Sequence, residues 1–96
     1  MNLIILRSAL EDIERGFQFY ESQAEGLGAY FEETIRGEIE SLRLYGGVHR
    51  KLFERHRLVV RRFPYAIYYD VDGETVRIRA VVDCRRKPER IQKKLK

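Results

Sequence analysis

Ninety-six residues with a 44% apolar and 35% charged composition suit one globular domain with a single modest core, and exclude a disordered chain. No apolar run approaches the ~20 residues of a membrane span, and the opening Leu3–Leu6 run reads as a first strand, not a targeting signal. The single cysteine, Cys84, excludes an internal disulfide, and there is no Cys/His cluster for a metal; a reducing cytoplasm, with no metal and no cofactor, is the expectation. The net charge of +4 is unevenly spread. Residues 1–48 carry four Arg against nine Asp/Glu (−5), and residues 49–96 carry fifteen Lys/Arg against six Asp/Glu (+9). The last twelve residues hold seven Lys/Arg and one Glu (+6). A basic half of this kind suits an acidic partner, either nucleic acid or an acidic protein surface; the alternative is a merely solvated surface.

In chain order, "SALE" at Ser8–Glu11 has the spacing of a capping box and predicts a helix start. Leu10, Ile13, Phe17 and Tyr20 then recur at helical spacing. "EGLG" (25–28) predicts a tight link, and Phe31, Ile35, Ile39 and Leu42 form the apolar stripe of a second helix ended by Gly46-Gly47. Residues 48–56 give no clear period and predict an irregular or partly extended lead-in. "RLVVRR" (57–62) is a predicted strand, turned by "FPY" because Pro64 has no N–H for a ladder. Tyr65–Val71 and Val76–Val82 alternate around Asp72-Gly73, predicting a hairpin with a type I′ turn. Strict alternation places Val76, Ile78, Ala80 and Val82 on the helix-facing side, Arg77 and Arg79 on the other, and Tyr68 exposed. From Pro88, one or two helical turns are predicted, with Ile91 and Leu95 on one side, outside the main apolar pattern. The predicted fold is one α+β domain spanning 1–96, of order β-α-α-β-β-β: an antiparallel helical hairpin packed on one face of a mainly antiparallel sheet.

This order, with "EGLG", "RRFPYAIYYDVDGETVRIRAV" and the exit "DCRRKPERI", resembles the RelE/ParE superfamily of toxins from bacterial type II toxin–antitoxin systems, often labelled plasmid stabilisation proteins. "HRKLFERHRLVVRRFPYAIYY" is similar to a proteobacterial branch of it. The resemblance covers nearly the whole chain. It implies this fold, growth inhibition, a cognate antitoxin partner, and assembly as a homodimer or a toxin–antitoxin hetero-oligomer. It leaves two targets: DNA gyrase in the ParE-like branch, or the ribosome and its messenger RNA in the RelE-like branch. A third reading is a decayed, non-toxic member that binds nucleic acid weakly.

Metal-free RNA cleavage needs a group to move protons and cations around the phosphate. The cations are abundant: Arg57, Arg61, Arg62, Arg77, Arg79, Arg85 and Arg86. The resemblance implies a His or Tyr near the C-terminus, and after Tyr69 this chain has neither. The catalytic role would fall to His49 or His56, whose ordinary pKa suits it, though neither stands at the family position. Were the chain an enzyme, it would be a metal-independent endoribonuclease; the missing late group favours the ParE-like, binding mode. Arg77, Arg79, Arg85, Arg86, Lys93 and Lys94 are the expected target- or antitoxin-binding residues. Arg85 and Arg86 grip an anion bidentately or, on the structural alternative, pair with helix carboxylates such as Glu38 or Glu40.

Overall fold

A computed structural model describes all residues, Met1–Lys96. The elements are β1 (Asn2–Ile5), α1 (Arg7–Gln23), α2 (Leu27–Tyr45), β2 (Lys51–Leu52), β3 (Arg55–Val59), β4 (Tyr65–Asp72), β5 (Thr75–Asp83) and α3 (Pro88–Lys94). They form the expected α+β domain. The sheet order is β1-β5-β4-β3-β2, antiparallel except that β1 runs parallel to β5 with Leu3 opposite Val76 and Ile5 opposite Ile78. A parallel neighbour needs a long crossover, and the α1–α2 hairpin lies in the connection.

The main core lies between the sheet and the two long helices: Ala9, Ile13, Phe31, Ile35, Ile39 and Leu42 against Leu58, Ile67, Tyr69, Val76, Ile78 and Val81. Phe63, from the "FPY" turn, fills the far end, edge-on to Phe31 (5.2 Å) and Tyr20 (4.8 Å). The helices join through a link in which the Glu21 carboxylate accepts the Gly26 and Gly28 N–H groups at 3.1 and 2.9 Å. Gly26 stands at φ 85°, a conformation that costs glycine little, and a Cβ on Gly28 would meet the Phe17 carbonyl at 2.7 Å.

Several local expectations are corrected. The capping box does not form: α1 starts at Arg7 with no side-chain cap, and Ser8 Oγ instead donates to the Arg79 carbonyl at 3.0 Å. Leu10 is 42% exposed; the buried face of α1 is Ala9, Asp12, Ile13 and Gly16. The predicted strand 57–62 is shifted to 55–59, leaving Arg61 and Arg62 exposed in the turn. The 48–56 lead-in contains a tight hairpin, with Leu52 opposite Arg55. Its two turn residues, Phe53 (φ 57°) and Glu54 (φ 66°), are both left-handed, the type I′ pattern without its usual Asn or Gly. At the β4–β5 turn, Asp72 pairs with Thr75 and only Gly73 of the two central residues has positive φ, which is the type II′ pattern and not I′.

The largest correction is to the faces of β5. Tyr68 pairs with Ala80 while Tyr69 pairs with Ile78, so Arg79 is an extra residue in a β-bulge. Beyond it the alternation inverts. Val81 joins the helix-facing core. Ala80 and Val82 face the opposite side, where with Ala66 and Tyr68 they form a second core beneath Ile91 of α3 and Leu95 at its C-terminal end. Tyr68 is therefore 1% exposed, and the C-terminal helix is a structural cover on the second face of the sheet.

Candidate anion-binding surface

The face of the sheet opposite α1 and α2 carries the cations. Cross-strand register sets Arg55 of β3 and Arg77 of β5 on either side of Asp70 of β4, and the bulge swings Arg79 onto the same carboxylate. Arg79 Nε lies 2.6 Å, Arg55 Nε 3.6 Å and Arg77 Nη1 3.7 Å from Asp70 oxygens; Arg77 also binds Asp72 at 2.9 Å. Three guanidiniums thus share Asp70, and the buried Arg55 Nε finds no hydrogen-bond partner. One strand pair along, Arg57 donates to the Tyr68 hydroxyl at 3.1 Å and approaches Cys84 Sγ at 3.5 Å. Arg77 and Arg79 are accordingly half-buried and ion-paired, not free.

The exit of β5 is organised by Asp83. Its carboxylate accepts the Arg85 backbone N–H at 2.8 Å and the Arg85 guanidinium at 2.9 and 2.6 Å. Those hydrogen bonds hold the Asp83 carboxyl below the usual carboxylate range, and the same hydrogen bonds, with the carboxylate charge, raise Arg85. The Arg85 partner is therefore Asp83; Glu40 pairs with Arg43 and Glu38 is in no ion pair. Lys94 reaches from α3 to Asp12 of α1 at 2.7 Å. Arg85 and Lys94 are the only paired cations among the seven of the tail. The remaining five, Arg86, Lys87, Arg90, Lys93 and Lys96, are exposed and in no ion pair.

Asp12, 6% exposed, is a site residue that the sequence reading missed. Beside Lys94 and Arg15 (2.6 Å), it accepts the Val81 N–H at 2.9 Å. Because β1 pairs with β5 only as far as Ile78, the rest of that strand would be a bare edge; Ser8 and Asp12 occupy part of it in place of a strand. An acidic residue at helical spacing between Ala9 and Gly16 is the signal that could have found it. Arg55 and Asp70 were missed too, although opposite charges facing across strands follow from register.

The histidines lie on the other side. His56 shares the helix-facing side with Leu58 and stacks on the Tyr69 ring at 4.9 Å, and its Nδ1 donates to the His49 carbonyl at 2.6 Å. His49 Nδ1 meets the Tyr69 hydroxyl at 2.5 Å, and the Gly47 N–H donates to that same oxygen at 3.0 Å. With one lone pair taken by Gly47, the phenol can donate its own proton to a neutral His49. Burial, with neighbouring His56, lowers the His49 pKa, in keeping with that arrangement. The sheet separates this cluster from Arg55, Arg57, Arg77 and Arg79. Tyr68, which does stand among those cations, is sealed beneath α3.

No family model matches the chain, and no curated protein is similar to it. Among solved structures, a chain of the chromosomal ParDE TA system from P. aeruginosa superposes with a TM-score of 0.75 at 17% identity, over 86% of this chain and 95% of that one. The fold is that of a ParDE toxin–antitoxin component. That agrees with the fold expected from the resemblance. No helix is long and apolar enough to cross a membrane.

Proposed function

We propose that the chain is the toxin of a type II toxin–antitoxin pair, of the ParE-like kind, which arrests bacterial growth by binding DNA gyrase and is silenced by a cognate antitoxin in the cytoplasm. The observation that carries this reading is the pairing of a ParDE-like fold with a tail whose five unpaired cations, Arg86, Lys87, Arg90, Lys93 and Lys96, extend from the end of β5 along α3. Fixed, unpaired cations bind and position an acidic partner. Arg77, Arg79 and Arg85 contribute more to the local charge than to direct contact, since each already has a carboxylate. Lys94 holds α3 in place. The direct contacts are assigned to Arg86 and Lys93.

Cleavage of messenger RNA is the less supported reading. His49 and His56 stand on the opposite face from the sheet's arginines, and the one aromatic hydroxyl among those arginines is buried. The test is induction of the full chain alone in bacteria. Growth arrest with intact messenger RNA on translating ribosomes, relieved by co-expressing the neighbouring gene, is expected. Rapid, codon-positioned messenger cleavage that vanishes in a His49→Ala/His56→Ala variant overturns the binding mode. Normal growth with abundant folded protein overturns the toxin reading altogether, in favour of a decayed member.

A further inference from the structure

The second half of β5 has no strand on its outer edge, the side away from β4. Pairing with β1 stops at Ile78, and Asp12 takes only the Val81 N–H. Along this edge runs a cleft of about 260 Å³, walled by Asp12, Arg15 and Phe19 of α1 and by Tyr65, Asp83 and Arg86. Phe19 is 50% exposed there. We propose that this cleft is a docking site for an extended peptide that bears a carboxylate side chain, laid along the edge of β5 from Val81 to Asp83.

Successive backbone groups on a strand edge alternate direction, so the groups at Val81 and Asp83 point the same way. The Val81 N–H points into the cleft, where it meets Asp12, and the Cys84 N–H points the other way, to Pro64. The Val81 carbonyl and the Asp83 N–H therefore face the cleft, spaced as one strand recognises another. A nucleic acid has no such complementary backbone, which favours a peptide.

Asp12 is matched by Arg15, Lys94 and the Val81 N–H, and Asp83 by Arg85. Both carboxylates are thus already matched, and Arg86 is left as the unpaired cation in the wall. One incoming carboxylate matches it. Phe19 and Tyr65 offer an apolar seat for the alternate side chain; burial keeps the Tyr65 phenol protonated, pushed up to about 12. This inference deepens the reading of the chain as one half of a protein pair and rests on it only for biological meaning.

The test selects phage-displayed random dodecapeptides on the full-length chain, with an oligothymidylate as a second probe. Enrichment of peptides that alternate apolar residues with Asp or Glu is expected. A synthesised member should bind about tenfold or more weakly to Arg86→Ala, an exposed position in no ion pair, and more weakly to Phe19→Ala. N-methylating its alternate amides should abolish binding, and the bound peptide should slow hydrogen exchange at the Asp83 amide. No enrichment, enrichment without a carboxylate, or affinity unchanged by Arg86→Ala overturns the proposal, and so does an oligothymidylate that protects Asp83 when peptides do not. Growth arrest by a chain that selects no such peptide removes this site and spares the toxin reading; peptide binding by a harmless chain does the reverse.

Discussion

Asp12 shows how much one side chain holds. A buried carboxylate is stable only when its charge is matched and its lone pairs are used, and here one oxygen takes Arg15 and Lys94 and the other takes the Val81 N–H. Asp12→Ala strands that N–H and two cations at once, so a loss of about 3 kcal/mol in urea unfolding is expected, against a clearly smaller loss for Asp12→Asn, which keeps an acceptor for Val81. His49 gives a second prediction at this scale. Its folded pKa lies below the ordinary value of 6.5, so the neutral form is favoured by folding. The stability it contributes is fully present above pH 6.5 and is lost as pH falls through the lower folded value. Unfolding free energy of the wild type should therefore fall as pH drops from neutral through 6.5, where the unfolded imidazole protonates first. The His49→Gln variant should flatten that part of the profile; an identical slope in both proteins would remove His49 as the cause.

At the scale of elements, α3 and the β2–β3 hairpin support each other. Phe53 is held at positive φ, a conformation worth roughly 1–2 kcal/mol of strain for a side-chain-bearing residue. Its ring packs against the core beneath α3, which offsets the strain. Glu54 has the same strain and is exposed. Glu54→Gly should therefore stabilise the protein by about 0.5–1 kcal/mol after the entropy of glycine is counted, and Phe53→Gly should not, because it loses the packing. Leu95→Ala should cost about 2–4 kcal/mol, and a chain ending at Cys84 should expose Tyr68, Ala80 and Val82, bind a hydrophobic dye and unfold with reduced cooperativity. The sequence made the helical hairpin and the β4–β5 pair legible because their periods are long and clean. It hid the hairpin at 51–55, whose turn residues carry no turn signature. It also hid the bulge, since one extra residue at Arg79 flips every later side chain of β5 to the other face. That single register shift turns Ala80 and Val82 toward Tyr68 and makes the second core that α3 covers, which is why α3 reads as an appendage in the sequence.

For the molecule as a whole, charge and fold divide the work. The acidic half forms β1 and the two long helices, while the basic half forms the other four strands, the exit of β5 and α3. Most of the sheet's arginines are matched internally: Arg55, Arg77 and Arg79 by Asp70 and Asp72, Arg85 by Asp83. The unmatched charge gathers at Arg86 and along α3, so the excess is local even though the net charge is a modest +4. Binding through such a patch is salt-dependent. Reversing Arg86 and Lys93 to Glu should weaken any acidic partner strongly without lowering the unfolding midpoint, since neither residue is ion-paired. The legible part of the candidate site was its composition, the Arg-Arg exit and the lysines; which of those cations are free was set by Asp12, Asp70 and Asp83, acceptors that only the three-dimensional register brings into place.

The most direct test is DNA supercoiling by purified bacterial gyrase in the presence of the full chain. Supercoiling is expected to be lost with wild-type protein and restored with the folded Arg86→Glu/Lys93→Glu variant. Supercoiling that proceeds normally at saturating wild-type chain would contradict gyrase as the target.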